Sequence, residues 1–150
     1  METWVDGGWG IDALLGVETR QHSDLDLAVS NTDLAGAVSA LAKAGFAADE
    51  AAIPGLPARL VLRDHDGRHV DLHPLKLDEH GNGWQELGDD AWGLYPADGL
   101  GGSGTVGGVA VRCLTADLQL RHHLGWSLTD TSRADLARLG EKFGLPVPPG

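Results

Sequence analysis

The sequence predicts an α+β domain: a mixed sheet backed by helices, with two further helices at the C-terminal end. Three observations predict it. Residues 24–29 alternate strictly between apolar and small or acidic side chains, a second pair of alternating runs is joined by Asp66-Gly67, and apolar residues after position 114 recur at helical spacing. Taken in order, Trp4-Val5 is a short strand ending at Asp6-Gly7-Gly8. Trp9 to Leu15 then places Ile11, Leu14 and Leu15 on one helical stripe before Gly16, a tight turn opening into a short helix. In Asp24 to Val29, Leu25, Leu27 and Val29 face one way and Asp24, Asp26 and Ala28 the other, a half-buried strand. From Asn31 or Thr32 as N-cap, Leu34, Val38, Leu41 and Ala42 form a second helix stopped by Gly45. Arg59 to Arg63 and His69 to His73 should pair antiparallel around Asp66-Gly67. Residues 76–104 read as loop-rich, the glycine-dense stretch 97–108 as a loop or hairpin tip, and Val109 to Leu114 as a strand. Thr115 can cap a helix carrying Leu118, His122 and Leu124. Thr131 or Ser132 can start another with Leu136, Leu139 and Phe143 on one face, leaving 146–150 as a frayed tail.

Composition narrows the function. A chain of 150 residues suits one domain. Eleven basic against 22 acidic side chains give a net charge of −11, which argues against a nucleic-acid binder, whose phosphate contacts need a basic footprint. Hydrophobic content of 42% is too high for a disordered acidic tail, and no apolar run approaches the ~18 residues of a membrane helix. Cys113 is the only cysteine, so no intramolecular disulfide or cysteine-based zinc site can form. No basic-then-apolar signal segment opens the chain, and a cytoplasmic location is expected.

Asp24-Leu25-Asp26 is the sharpest chemical feature. Residues two apart on a strand project from the same face with Cα atoms ~6.7 Å apart. Two carboxylates at that separation repel by about 2.5 kcal/mol at an effective dielectric of about 20, so a partly buried pair calls for a cation. On the second hairpin strand Asp71 can complete a triad, and an oxygen-rich site of this kind suits magnesium, held by carboxylates and by substrate phosphates. A lone D-x-D is ordinary on a solvent-facing strand of an acidic protein; its neighbours give this one weight. Gly7-Gly8 opens straight into a helix, whose free N–H groups and positive dipole end attract anions. Thr19, Arg20 and His22 stand between the turn and the carboxylates, where a polyphosphate would extend.

These residues resemble a known family. "WVDGGWGIDALLG" (4–16), "TRQHSDLDLAV" (19–29) and "RHVDLHP" (68–74) look like the antibiotic nucleotidyltransferases, the lincosamide enzymes more closely than the aminoglycoside adenylyltransferases. The likeness continues through "VRCLTADLQLRHHLGW" (111–126) and "TDTSRADLARL" (129–139). The resemblance implies a DNA polymerase β-like nucleotidyltransferase fold. It also implies a magnesium-dependent transfer of a nucleoside monophosphate from ATP or GTP to a hydroxyl of a small lincosamide- or aminoglycoside-like antibiotic, with release of pyrophosphate. By that likeness Gly7 and Gly8 match the phosphate-binding glycine turn and Asp24 and Asp26 the magnesium pair. Asp71 matches the third carboxylate, acting as general base, third metal ligand or both; Arg20 and His22 fall to the triphosphate. A homodimer is implied too. Related chains carry an amphipathic helix ahead of the first strand, whereas here Met1 lies a few residues before Trp4, which keeps a catalytically inactive module binding a small molecule or protein partner as the alternative. The Gly8-to-Asp24 spacing is longer than in the broader superfamily and fits the antibiotic branch.

Other signals carry less. His69, Asp71 and His73 share a face and raise a zinc hydrolase as a third reading, but residues i and i+4 of a strand lie ~13 Å apart, so His73 is expected beside the carboxylates instead. His122 and His123 are adjacent on a helix and should face different ways, one buried and His123 toward the acceptor. Gly102 to Gly107 fits G-x-G-x-x-G yet leads into a strand, so the dinucleotide fingerprint fails; its functional alternative is a flap over the acceptor. No P-loop motif is present. Trp4, Trp9, Trp84, Trp92 and Trp126 read as core or sheet-facing, with Trp84 and Trp92 also placed to stack on a base or sugar. Arg59 can meet a phosphate or a carboxylate, and Cys113 reads as a small core residue.

Overall fold

A computed structural model describes residues 1–124 and 127–148. Its elements are β1 (Thr3–Asp6), α1 (Gly7–Leu15), β2 (Asp24–Ser30), α2 (Leu34–Lys43), β3 (Ala47–Ala48), β4 (Leu60–Arg63), β5 (His69–Leu77), β6 (Gly83–Gly88), β7 (Ala91–Tyr95), β8 (Gly102–Val106), β9 (Val109–Cys113), α3 (Ala116–Leu124) and α4 (Asp130–Phe143). The sheet runs β3-β4-β5-β2-β1-β9-β8, and the far end of β5 also carries the β6–β7 hairpin. β2 is parallel to β5 and β1 to β9; the other pairs are antiparallel. The expected mixed α+β sheet with two C-terminal helices is the observed one.

The apolar set of β2 faces α2, where Val29, Leu62, Val70 and Leu72 pack with Leu25, Leu27 and Leu34. The opposite face is wet only at its acidic end. Ala28, expected beside the aspartates on a solvated face, is buried with Trp4, Leu75, Leu100 and Leu118, because α3 and the loop before β8 cover that end of the sheet. A third cluster joins α1, α3 and α4 through Ile11, Leu120, Leu136 and Leu139. α1 thus lies between the sheet and the C-terminal helices, and its N-terminus is fixed from both sides.

Several sequence expectations change. β5 continues through Pro74 to Leu77, since a parallel partner, β2, lines up Pro74 with Val29 and carries the strand on. The stretch expected as loop holds β6, β7 and β8. Its β6–β7 turn lacks a glycine pair because Asp89 and Asp90 themselves adopt positive φ, 51° and 61°. The glycine-rich hairpin β8–β9 is not a flap over the acceptor: β8 packs along α1, and a Cβ on Gly104 would run into the Ala13 carbonyl. α4 starts at Asp130, capped by the Thr129 hydroxyl accepting from Ser132 N–H at 3.0 Å. Phe143, the last residue of α4, is 42% exposed and does not join Leu136 and Leu139 in the core as expected, because the stripe runs out at the helix end. Val147, in the expected tail, packs against the helical cluster, while Trp126 and residues 149–150 lie outside the described residues.

The close packing of β8 on α1 makes Gly104→Ala informative. It should lower stability by about 1–3 kcal/mol through overpacking, seen as a reduced urea midpoint with unchanged slope.

Candidate active site

Strand register builds the site. Asp6 of β1 pairs with Asp26 of β2, and Asp26 pairs with Asp71 of β5, so three carboxylates stand abreast on one rung of neighbouring strands. Strands lie ~4.8 Å apart, which makes this row mutually repulsive. One rung away Asp24 faces His69, and on the other side Ala28 faces His73. The two-residue period puts Asp6, Asp24, Asp26, His69, Asp71 and His73 on the same face.

Each acidic group has a compensating partner. Asp6 Oδ1 accepts from Gly7 N–H at 2.7 Å and Oδ2 from the Tyr95 hydroxyl at 3.4 Å. Asp26 Oδ1 lies 3.0 Å from His73 Nε2, Asp71 Oδ2 accepts from Arg59 Nη1 at 3.2 Å, and Asp24 Oδ2 is 3.5 Å from His69 Nε2. The balance is incomplete. Asp71 Oδ1 is buried with no hydrogen-bond partner among the described residues, and His69 Nε2 approaches it only to 3.9 Å. Burial and the Asp26 charge raise the Asp71 pKa above the ordinary carboxylate value, against the pull of Arg59 and His69. Burial likewise raises Asp6. For His73 burial works downward, but the bond to Asp26 and the Asp6 charge outweigh it and hold the imidazole above its usual value.

The glycine turn sits directly above this row. Gly7 has φ 58°, and a Cβ there would collide with the Asp26 carboxylate; a Cβ on Gly8 would collide with the Arg20 guanidinium and lie 2.8 Å from His22 Nδ1. The two glycines therefore let an acid close in from one side and two bases from the other. Arg20 and His22 nevertheless have protein partners. Arg20 makes a two-pronged bond to Asp135 of α4, at 3.0 and 2.8 Å, and remains partly exposed. His22 is closed off from the triphosphate contact expected of it. Its side chain is 2% exposed, stacks on Trp9 and holds Asp12 Oδ2 at 2.6 Å, because the buried Asp12 needs a partner beyond Thr19.

A cleft runs along the carboxylates as two adjoining cavities that share His73 and His122. One, about 320 Å³, is lined by Asp6, Gly7, Asp26, His123 and Ser132; the other, about 490 Å³, by Pro54, Arg59, Gln85, Leu87 and Tyr95. Arg59, held by the carbonyls of Ile53 and Pro54, reaches into the second from the β4 side. The expected division of the α3 histidines does not hold, since neither is buried and both line the cleft. His122 meets the edge of Tyr95, and His123 Nδ1 bonds the Gln119 carbonyl at 2.7 Å. Trp84 and Trp92, at 36% and 43% exposed, are neither core nor near the carboxylates: they lie on the outer face of the β6–β7 hairpin, lining a separate hollow with Lys76 and Asp78. The two-residue period of β6 and β7 turns Gln85 and Tyr95 inward instead.

Sequence reasoning missed Asp6, Gln85, Tyr95 and His122. Only Asp6 left a usable signal, since Trp4 and Asp6 alternate on β1 and Asp6 directly precedes the glycine pair. The zinc reading of the sequence groups His69 with Asp71 and His73. The structure sets His69 with Asp24 and Asp71, one ligand atom of each lying within 4.8 Å of the others, while His73 belongs to Asp26; the two histidines do not share an ion. An orphaned buried carboxylate oxygen in a donor set dominated by oxygen fits a hard divalent cation.

Comparison with known proteins bears on this site. The aminoglycoside-2''-adenylyltransferase family model matches residues 1–139. A lincosamide resistance protein of Staphylococcus haemolyticus is 26% identical over 136 residues, 91% of this chain and 82% of that protein. The crystal structure of the lincosamide antibiotic adenylyltransferase LnuA, lincomycin-bound, superposes with a TM-score of 0.78 at 25% identity, covering 92% of this chain and 85% of that one. ANT(2'')-Ia in complex with adenylyl-2''-tobramycin shares the fold, with a TM-score of 0.69, 19% identity and coverage of 95% and 79%.

The raised pKa values set a direction for stability. Asp6, Asp71 and His73 hold protons more tightly folded than unfolded, so the stability they contribute is greatest at low pH. It falls as pH rises, from about 4 for the carboxylates and about 6.5 for the histidine. Urea unfolding of the metal-free protein should show this decline, and Asp71→Asn should make it shallower.

Proposed function

The chain belongs to the aminoglycoside-2''-adenylyltransferase family, and from that footing we propose a magnesium-dependent transfer of the nucleoside monophosphate of ATP to a hydroxyl of a small antibiotic, with release of pyrophosphate. GTP is the alternative donor, and the cytoplasm, where such donors are made, is the setting. The protein is a nucleotidyltransferase, as its relatives are, which sets aside a catalytically inactive module. The observation that carries the proposal is the row of carboxylates beneath the glycine turn, with one buried Asp71 oxygen lacking a partner.

Asp24, Asp26 and Asp71 would hold magnesium, which when bound supplies charge neutralisation at the α-phosphate and the departing pyrophosphate. The remaining roles belong to the chain. Backbone N–H groups at the start of α1 receive phosphate oxygens, and Arg20 behind Gly8 adds positive potential there. Asp71, oriented through Oδ2 by Arg59, takes the acceptor hydroxyl proton on its other oxygen; its raised pKa improves it as a base. The oxygen so activated bonds to the α-phosphorus as the bond to the bridging β-phosphate oxygen breaks and its electron pair leaves with pyrophosphate. His73 keeps Asp26 in place from below.

The acceptor side is the 490 Å³ cavity. Pro54, Ala58 and Leu87 give it apolar walls, Gln85 and Tyr95 supply polar contacts, and Arg59, His73 and His122 are its basic groups. Among the described residues none of those lining it is a carboxylate. A polyamine would find counter-charges only on the carboxylate row at the edge of this cavity, so the lining favours a lincosamide-type acceptor, with one amine and apolar substituents, over an aminoglycoside.

Calorimetry with a non-hydrolysable ATP analogue should show magnesium-dependent binding that Asp24→Asn abolishes; binding indifferent to both would refute the donor site. Asp71→Asn should reduce turnover about 10²–10⁴-fold with the fold retained, as judged by circular dichroism. In the same assay lincomycin should saturate at far lower concentration than tobramycin, and the reverse order would overturn the acceptor assignment.

A further inference from the structure

Gln119 lies between Leu118 and Leu120 on α3, and while the leucines pack into two cores, its amide crosses to α1 with 0% exposure. Its Nε2 donates to the Gly7 carbonyl at 3.3 Å, and its Oε1 is buried with no hydrogen-bond partner among the described residues. α1 makes room for it: a Cβ on Gly10 would stand 2.5 Å from that Nε2. A stranded buried acceptor and a glycine inside a helix both lower stability, so packing alone does not account for a glutamine here.

The contact made is with the first peptide of α1, at the helix end that meets the acidic row. Gly7 sits at positive φ, and its N–H is already held by Asp6 Oδ1. The Gly7 carbonyl and the Gly8 N–H share one planar trans peptide, so a bond that fixes the oxygen also fixes the direction of the N–H. We propose that Gln119 is a positioning residue for the donor site: through the Gly7 carbonyl it sets the orientation in which the glycine turn presents its N–H groups to the triphosphate. This rests on the reading that the turn receives the donor's phosphates. The same residue's main-chain oxygen holds His123, so one turn of α3 orients groups on both sides of the cleft.

The test compares the wild type with Gln119→Leu, which keeps volume and removes both the donor and the stranded oxygen. The variant should resist urea at least as well as the wild type, yet bind the ATP analogue with magnesium roughly tenfold more weakly, the factor one hydrogen bond supplies. The KM for ATP should rise in step with kcat little changed. Gln119→Glu gives a second readout, because its side chain can donate only when protonated: affinity for the analogue should recover as pH falls toward the acid end and decline as it rises, relative to the wild type. Analogue affinity equal to wild type in both variants overturns the inference alone. Where Gln119→Leu does not fold, the pH profile of Gln119→Glu decides, and a profile parallel to wild type overturns it. Absence of analogue binding in the wild type itself would overturn the donor-site reading, and the inference with it.

Discussion

Mutual repulsion within a single row of carboxylates is the constraint around which the rest of this molecule is arranged. Asp6, Asp26 and Asp71 are forced together by strand register, because β1 and β5 both pair with β2 at the rung that carries Asp26. A fold that gathers like charges must balance them locally. Here the balance comes from the Gly7 N–H, His73 and Arg59, each supplied by a different segment. Even so, one Asp71 oxygen stays without a hydrogen-bond partner among the described residues, and burial together with the Asp26 charge raises the pKa of that carboxyl.

The same logic explains why the chain needs glycine at the start of α1. The helix begins directly at the end of β1, so its first turn must fit between the acidic row, the basic loop ahead of β2 and the C-terminal helices. The polar network behind it is built to resist disturbance. Asp12 on the buried side of α1 takes three hydrogen bonds, from the Thr19 N–H, the Thr19 hydroxyl and His22, and these outweigh burial and depress its pKa. Arg20 ties the same loop to Asp135 on α4. The helical layer thereby acts on the turn without contributing a carboxylate to the row.

What could be read from the sequence follows the length scale of the interactions. Alternation in Asp24–Val29, the Asp66-Gly67 hairpin and the helical stripe of Leu136 and Leu139 are local patterns, and each appears in the structure. Asp24 and Asp26 stood out because a period of two needs no tertiary information. By contrast, the role of Asp6 depends on which residue of β2 it meets, and those of Gln85, Tyr95 and His122 depend on the β6–β7 hairpin folding back toward α3. That hairpin was hidden because Asp89-Asp90 adopts the positive φ usually supplied by Asn-Gly or Gly-Gly. His22 illustrates the converse: its position in the chain suggested a phosphate contact, but burial of Asp12 one helix face away claimed it. Trp84 and Trp92 face outward for a similar reason, since the strand parity that brings Gln85 and Tyr95 to the cleft turns the indoles away from it.

Nucleotidyl transfer itself is tested most directly by following a radiolabel placed on the α-phosphorus of ATP in the presence of magnesium and lincomycin. The label should pass to the acceptor, one pyrophosphate appearing for each molecule modified. Label that accumulates as free nucleoside monophosphate, or that stays in ATP while lincomycin binds, would contradict an in-line transfer carried out by this row of carboxylates.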